Sequence, residues 1–143
     1  MARIYLASSW RNAEQPSKVR LLREAGHAVY DFRNPAPGDT GFSWSEIDSE
    51  WTTWTAARYR HLLLNSPVAA HGFMRDLRAM QWADTCVLLL PCGRSAHLEA
   101  GWFCGANKRC IVCTRDGEEP ELMNLLANDI VVTDDELLQV LRL

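Results

Sequence analysis

The sequence lacks both long apolar runs and runs of like charge. No stretch approaches the roughly 18 apolar residues that a membrane span needs, and 15 basic against 18 acidic residues give a net charge of −3 without any cluster of one sign. We therefore expect neither a membrane nor a nucleic-acid polymer as partner, and a small molecule instead. The first residues, "MARIYLASSWRN", lack the layout of a secretory signal peptide, so we expect a cytoplasmic protein.

The cysteines lack the even number and spacing of a disulfide framework. They stand at positions 86, 92, 104, 110 and 113 and suit a reducing compartment. Cys110 and Cys113 lie in the strand-like "KRCIVCT", where residues three apart point to opposite faces, so one zinc ion could not easily bind both. His97 could join Cys92 or Cys104 as a ligand. We expect buried thiols and no metal or cofactor, and a redox or metal protein is the third alternative.

Three catalytic motifs are missing from the sequence. Neither G-x-G-x-x-G nor G-x-x-x-x-G-K-[ST] occurs, so nothing indicates a dinucleotide fingerprint or a phosphate-binding P-loop. A G-x-S-x-G elbow is also absent. His97 is only two residues from Ser95 and points elsewhere on a helix, which disfavours a serine nucleophile at that position.

Short apolar runs alternate with helical patterns along the 143 residues. This alternation is typical of parallel strands joined by helices, and it predicts one α/β domain over residues 1–143. Gly26 predicts the end of the first helix, and Thr133 with Glu136 predicts a capping box for the last. The predicted strands are 3–8, 27–32, 85–91, 110–114 and 129–132, with helices around 14–25 and from about 96, a short helix before the fifth strand and a last helix after it. We predict a flavodoxin-like, doubly wound sheet of five parallel strands with a helical insert after the second.

The insert begins with a capping box, Ser43-Trp44-Ser45-Glu46. After it, Ile47, Trp51, Trp54, Arg58 and Leu62 follow one another at helical spacing. This pattern predicts one amphipathic helix with an aromatic face. Two alternatives remain open: the tryptophans pack into a core, or they lie over the carboxyl edge of the sheet and offer their faces to a planar ligand.

Glu99 is the strongest catalytic candidate. In an open parallel sheet, ligands bind outside the carboxyl ends of the strands, and "CGRSAHLEAG" follows the buried strand "TCVLLLP" at that edge. If Gly93 makes the turn and Ser95 is the N-cap, Glu99 lies in the first helical turn, where the helix dipole favours its ionised form. An ionised carboxylate facing a pocket can act as a nucleophile or as an electrostatic stabiliser.

Two aspartates bracket the preceding helix, "HGFMRDLRAMQWAD". A helix that leads into a parallel strand begins at the carboxyl edge, so Asp76, near that beginning, can share a site with Glu99. Asp84, at the far end, is predicted to be a turn or cap residue. Two carboxylates in different surroundings can divide into nucleophile and general acid.

Other polar residues follow the first three strands at the same edge. Arginine and serine side chains there could hold a phosphate or a carboxylate. The predicted binding residues are Ser8, Ser9, Trp10 and Arg11, then Asp31, Arg33 and Asn34, then Gly93, Arg94 and Ser95.

Four segments in order, "RIYLASSW", "DLRAMQWADTCVLLL", "GRSAHLEAG" and "PELMN", resemble the nucleoside 2-deoxyribosyltransferase superfamily, which includes the 2'-deoxynucleoside 5'-phosphate N-hydrolases. The resemblance covers most of the chain except the tryptophan-rich insert. It implies a flavodoxin-like fold, dimers or higher homo-oligomers, no metal, and cleavage of an N-glycosidic bond through a glutamate nucleophile.

By position in these motifs, Glu99 matches the nucleophile that forms a covalent glycosyl enzyme. Asp76 matches the aspartate that handles the proton of the leaving base, and Tyr5 matches a tyrosine that orients the nucleophile. The turn at residues 8–11 matches the loop beside the sugar or phosphate. The resemblance thus predicts a nucleoside or nucleoside 5'-monophosphate N-glycosidase or transferase. The alternative is a non-catalytic nucleotide-binding or sensor module.

Three positions depart from the family pattern. Gly93 stands where the transferases have an aspartate that contacts the base. "GRSAHLEAG" is bulkier than the glycine-rich loop of the hydrolases, and its Arg94 and His97 could bind phosphate or block the family's substrate pose. Glu121 stands where the transferases have an asparagine that reaches a neighbouring subunit's site.

Overall fold

A five-stranded parallel sheet forms the centre of the fold. The computed structural model describes all residues, Met1–Leu143. The strands are β1 (Arg3–Ala7), β2 (Ala28–Tyr30), β3 (Thr85–Leu89), β4 (Arg109–Cys113) and β5 (Asp129–Val131). Their order, β2-β1-β3-β4-β5, is that of flavodoxin-like doubly wound sheets, which confirms the predicted fold class.

The chain divides into two compact units. The first comprises Met1–Asp31 and Met80–Leu143, and contains the sheet; the second is Phe32–Ala79, the insert. The prediction of a single domain over residues 1–143 stays a prediction. None of the helices combines the length and the apolar character that a membrane span requires.

Alternation along the strands divides the core of the first unit between the two faces of the sheet. One face packs against α1 (Gln15–Glu24) and α5 (Asp134–Leu141). Its buried core includes these strand and helix residues: Ile4, Leu6, Val19, Leu22, Val87, Leu89, Ile111, Cys113, Val131, Leu137 and Leu141. The other face carries Tyr5, whose ring packs against Phe103 of α4 (Arg94–Gly105), with ring centroids 5.7 Å apart. Helices therefore cover both faces, as nearly continuous apolar strands require.

The glycine stop predicted for α1 is present, whereas the capping box predicted for α5 forms only in part. Gly26 adopts a φ of +94°. Its N–H donates to the Arg23 carbonyl, and the His27 N–H donates to the Leu22 carbonyl, which is the Schellman arrangement that ends a helix. At the start of α5, the Thr133 hydroxyl accepts from the Glu136 N–H at 3.1 Å. The Glu136 carboxylate accepts from the Val132 N–H instead of the Thr133 N–H, so the second half of the capping box does not form.

The insert does not form the single helix that the spacing predicted. The capping box at Ser43 and Glu46 is present, but it opens only a 3-10 turn at Trp44–Glu46, which a second turn, Trp51–Thr53, and then α2 (Ala56–Asn65) follow. Asp48 explains the interruption, because its carboxylate accepts from the Glu50 N–H and from the Trp54 indole, both at 2.9 Å. Such local side-chain bonds compete with helical ones.

Aromatic side chains of the insert pack mainly on one another. The Trp44 ring makes edge contacts with Phe42, Trp54 and Tyr59, with centroid distances of 4.9, 5.9 and 6.0 Å. Trp44 and Trp54 therefore pack within the insert, as the first of the two alternatives predicts, whereas Trp51 is 42% exposed.

Helix α3 (Pro67–Trp82) begins earlier than predicted. The Ser66 hydroxyl accepts from the Ala69 N–H at 3.4 Å, and proline suits the first helical position because its missing N–H would have no partner there. Asp76 is consequently the tenth residue of α3, in its middle, and not near its beginning.

Candidate active site at the carboxyl edge of the sheet

The neighbouring ends of β1 and β3 define the switch point of the sheet, where doubly wound folds bind ligands. Two side chains connect the loops at this point. The Ser8 hydroxyl donates to the Leu89 carbonyl at 3.0 Å, and the Asn12 amide donates to the Pro91 carbonyl at 3.2 Å. These bonds hold the loop after β1 against the loop that leads into α4.

Tyr5 and Glu99, 94 positions apart in the sequence, meet beside this switch point. The buried Tyr5 hydroxyl donates a hydrogen bond to Glu99 Oε2. A bond from a neutral donor to a carboxylate is a strong one, and it stabilises the ionised form that a nucleophile needs. The pair thus presents an oriented carboxylate beside the switch point.

Packing fixes the tyrosine on two sides. Its ring stacks on Tyr30 of the neighbouring strand with centroids 5.4 Å apart and planes 17° apart, and Phe103 covers it from α4. Because β1 and β2 pair in parallel with Tyr5 opposite Tyr30, this stack follows from the strand register. A side chain that is 1% exposed and held in this way has little freedom to move its hydroxyl away from Glu99.

Glu99 reaches the site from the second turn of α4, which corrects the sequence prediction. The N-cap is Gly93, not Ser95, so Glu99 is the sixth helical residue. The dipole falls off within the first turn, and the Tyr5 hydroxyl, rather than the helix terminus, is the group that the structure places on the carboxylate. Ala96, Ala100 and Phe103 form the buried stripe of α4, and Glu99 lies beside it by helical spacing.

The sequence analysis did not identify two buried polar residues at this edge, Gln15 and Asn12. Gln15 is fully buried and donates from Nε2 to Asp31 Oδ1 at 2.8 Å, while Asp31 is 8% exposed. Asn12 is 3% exposed and also accepts from the Glu14 N–H at 2.9 Å. The proline at position 16 marks the start of α1 and was the one available signal, but it could not reveal that these amides point inward.

The remaining predicted binding residues of the first unit lie in the loops at the same edge or at the start of α4. Ser8 and Ser9 are half-buried, and the Ser9 hydroxyl accepts from the Arg11 N–H at 3.1 Å. Trp10 is 51% exposed. Arg11, Arg94 and Ser95 are exposed as well, so their side chains are accessible to a ligand from solvent, and Gly93 exposes its backbone.

Three predicted residues belong to the second unit, the insert. Arg33 and Asp76 are half-buried there, and Asn34 is exposed. Their part in a common site with Glu99 therefore stays a prediction.

Asp84 lies at the amino edge of the sheet, as predicted, and its side chain acts there as a cap. Both of its carboxylate oxygens accept from the Arg3 N–H at 3.2 Å, at the start of β1. Glu121 similarly caps a 3-10 turn by accepting from the Met123 N–H at 3.0 Å.

The thiols near the site are poor nucleophiles. Burial raises the pKa of Cys92 to about 12, and the carboxylates of Glu118 and Glu99 add to the effect. His97 lies 3.6 Å from the Cys92 sulfur, but its Nδ1 is 2.8 Å from the Gly93 carbonyl and so donates to that oxygen. It cannot then accept the thiol proton at the same nitrogen. Burial also raises the pKa of Cys104 to about 11.

The two cysteines of the C-x-x-C pair lie on opposite faces of β4, as expected. Cys113 belongs to the core beneath α1 and α5. Cys110 lies opposite Cys86 in the strand register, and both thiols are free. No group of three or more histidine, cysteine or acidic side chains is placed to hold one metal ion.

Comparison with known proteins reveals similarity at the level of structure. No family model and no curated protein matches the sequence. A 2-deoxyribosyltransferase from Bacillus psychrosaccharolyticus superposes with a TM-score of 0.66 at 18% identity, over 94% of this chain and 88% of that one. A CMP N-glycosidase from Clostridium botulinum, BcmB, gives 0.54 at 17% identity over 98% of both chains.

A conserved protein from Enterococcus faecalis gives a TM-score of 0.59 at 13% identity, over 100% of this chain and 99% of that one. Together these similarities confirm the fold that the sequence resemblance implied. Over nearly their whole lengths, two proteins that process nucleosides or nucleotides share it.

Proposed function

We propose that the protein cleaves the N-glycosidic bond of a nucleoside or nucleoside 5'-monophosphate, with Glu99 as nucleophile. The observation that carries the proposal is the hydrogen bond from the buried Tyr5 hydroxyl to the Glu99 carboxylate at the switch point of the sheet. A carboxylate held in one orientation at the place where such folds bind ligands is equipped to attack a sugar carbon.

The reaction has two displacements. Glu99 attacks the anomeric carbon, and the bond from that carbon to the base breaks as the base nitrogen takes a proton from Asp76. Water, or a second base, then attacks the anomeric carbon from the other side and gives a proton to Asp76, and the ester to Glu99 breaks. The sugar keeps its anomeric configuration, as in other retaining glycosidases.

Exposed basic and hydroxyl groups favour a phosphorylated substrate. Arg94 and Ser95 are the first residues of α4, and Arg11 lies in the loop after β1. Hydrogen bonds from Ser8 and Asn12 hold this loop against the carboxyl end of β3 and the loop that follows it. Ser9, Trp10 and Gly93 complete the proposed binding surface, whereas Asp31 is buried and accepts a hydrogen bond from Gln15. The similarity of the fold to a CMP N-glycosidase supports a nucleotide, and that to a 2-deoxyribosyltransferase supports a nucleoside.

The proposed reaction needs no cofactor, and we propose a cytoplasmic homodimer or higher homo-oligomer. Supporting the assembly, Leu98 and Trp102 lie four residues apart on α4 and are 76% and 36% exposed. Trp82 adds a third exposed apolar side chain at the end of α3, with 42% exposure. A helix surface of this kind is typical of an interface.

Base release is the test. The protein is incubated with ribo and deoxy nucleosides and 5'-monophosphates, with and without a second free base, and the products are separated by chromatography. We expect release by the wild type, none by Glu99→Gln, and a sugar adduct on the wild-type protein by intact mass spectrometry. A requirement for phosphate or for an acceptor base distinguishes hydrolase from transferase.

Glu24→Gln is the matched control, because Glu24 is an exposed residue at the end of α1. It should release base at the wild-type rate. Release that persists in Glu99→Gln would contradict the proposed nucleophile. Nucleotide binding by both proteins without any release would support the sensor module instead.

A further inference from the structure

Four side chains form a row across the α4 face of the sheet. Parallel pairing sets Tyr30 opposite Tyr5, Tyr5 opposite Cys86, and Cys86 opposite Cys110. Residues that lie opposite one another in neighbouring parallel strands, which are about 4.8 Å apart, project from the same face of the sheet. The row therefore runs from β2 to β4 as two large aromatic rings followed by two small thiols.

The small end of the row lies beneath α4, which packs against β1, β3 and β4. Cys86 and Cys110 are buried there. Because protein interiors are closely packed, two small side chains let the helix lie close to the sheet, and from this helix Glu99 accepts the hydrogen bond of Tyr5. The adjacent Cys110 thiol, burial and the nearby Glu99 carboxylate raise the pKa of Cys86, so it contributes a small volume and not a thiolate.

The same small thiol leaves the Tyr5 ring with one aromatic neighbour inside the sheet. On the β3 side that neighbour is Cys86, whereas on the β2 side the Tyr30 ring stacks on it, with centroids 5.4 Å and planes 17° apart. Phe103 meets the ring from α4, at 5.7 Å and with planes 41° apart. Stacked rings at such spacings attract each other, so Tyr30 is the residue of the sheet that holds the Tyr5 ring.

We infer that Tyr30 is a positioning residue, whose ring keeps Tyr5 in the orientation from which its hydroxyl reaches Glu99. The inference rests on the proposed function, because it assigns Tyr30 a part in a reaction that Glu99 performs as nucleophile. The ring is the part of Tyr30 that stacks, and phenylalanine also supplies it. Because the effect passes through the Tyr5 hydroxyl, loss of the Tyr30 ring cannot slow the reaction more than loss of that hydroxyl does.

Base-release kinetics of Tyr30→Leu, Tyr30→Phe and Tyr5→Phe test the inference. Since a small displacement of a reacting group slows a reaction strongly, Tyr30→Leu should lower kcat about fivefold or more, with KM within about twofold. Tyr30→Phe should stay within about twofold of the wild type. When Tyr30→Leu is added to Tyr5→Phe, kcat should fall less than about twofold further, because the hydroxyl is already absent.

Three kinetic results would overturn the inference. They are a kcat of Tyr30→Leu close to that of the wild type, a loss larger than that of Tyr5→Phe, and an equal loss when Tyr30→Leu is added to Tyr5→Phe.

Val29→Ala is the matched control for lost packing in β2. Val29 precedes Tyr30 in the strand and belongs to the core on the opposite face of the sheet. Its truncation should lower the thermal unfolding midpoint but leave kcat within about twofold of the wild type. Tyr30 is half-buried, so Tyr30→Leu should also fold. An equal fall of kcat in both variants would indicate a general effect of destabilising β2 and would overturn the inference.

A measurement without substrate separates this inference from the proposed reaction. A buried hydroxyl proton that is bonded to a carboxylate is protected from exchange with water, and it gives a proton NMR signal that Tyr5→Phe identifies by its absence. We expect the wild type and Tyr30→Phe to show this signal, and exchange with water to be about tenfold faster or more in Tyr30→Leu.

An unchanged exchange rate in Tyr30→Leu, or no such signal in the wild type, would overturn the inference whatever the activity. Faster exchange in Tyr30→Leu, in a protein that releases no base, would support the positioning of Tyr5 by Tyr30 and contradict the proposed reaction alone.

Discussion

Tyr5→Phe separates the role of the tyrosine hydroxyl from that of its ring. The ring stacks on Tyr30 and packs against Phe103, and phenylalanine can keep both contacts. The hydrogen bond to Glu99 Oε2 is lost. If that bond orients the nucleophile, the variant should fold and bind substrate but react more slowly.

The magnitude follows from the kind of bond. A hydrogen bond to a charged group contributes about 1.5–3 kcal/mol, and water cannot readily replace a donor at a residue that is 1% exposed. Since about 1.4 kcal/mol corresponds to a factor of ten, kcat should fall by about 10-fold to about 150-fold. KM should change less, because the hydroxyl contacts the nucleophile.

Base-release kinetics and thermal unfolding test this expectation together. Tyr59→Phe is the control, since Tyr59 is 45% exposed on α2, and it should leave both measurements unchanged. A kcat within twofold of the wild type in Tyr5→Phe, with Glu99→Gln inactive, would refute the orienting role. A loss as complete as that of Glu99→Gln would mean that the hydroxyl does more than orient.

Two further predictions concern assembly and pH. Leu98→Glu should convert the proposed oligomer to a monomer in size-exclusion chromatography with light scattering, whereas Leu143→Glu, at a residue that is 93% exposed after α5, should not. A wild-type monomer, or an unchanged Leu98→Glu oligomer, would contradict the proposed interface. His27 Nδ1 accepts from the Ala2 N–H at 3.0 Å, which requires a neutral ring, and burial lowers the pKa of His27 below 6.5. The unfolded chain therefore binds this proton more readily, and the free energy of unfolding should fall as pH decreases through 6.5 towards the lower pKa of the folded state. Chemical denaturation between pH 5 and 8 measures this slope; His27→Gln should reduce it, and an equal slope in the variant would locate the dependence elsewhere.

The insert illustrates where sequence patterns stop being sufficient. Its capping box is a local signal and was predicted correctly, yet the helix expected after it breaks at Asp48, whose carboxylate bonds the Glu50 N–H and the Trp54 indole. Helical spacing of aromatic residues does not reveal this competition. For the same reason, the sequence did not reveal that α3 begins at Pro67 or that the N-cap of α4 is Gly93.

The sequence by itself determined the parallel α/β fold, because apolar runs, glycine stops and capping residues are local and recur with each element, and it predicted Glu99 as the catalytic carboxylate. Only the tertiary structure decided which side chains meet. Tyr5 reaches Glu99 because β1 lies beside β3 and α4 packs over that face, and Gln15 reaches Asp31 because α1 covers the opposite one. These contacts depend on strand order and helix packing, which join residues distant along the chain and leave no periodic signal in the sequence.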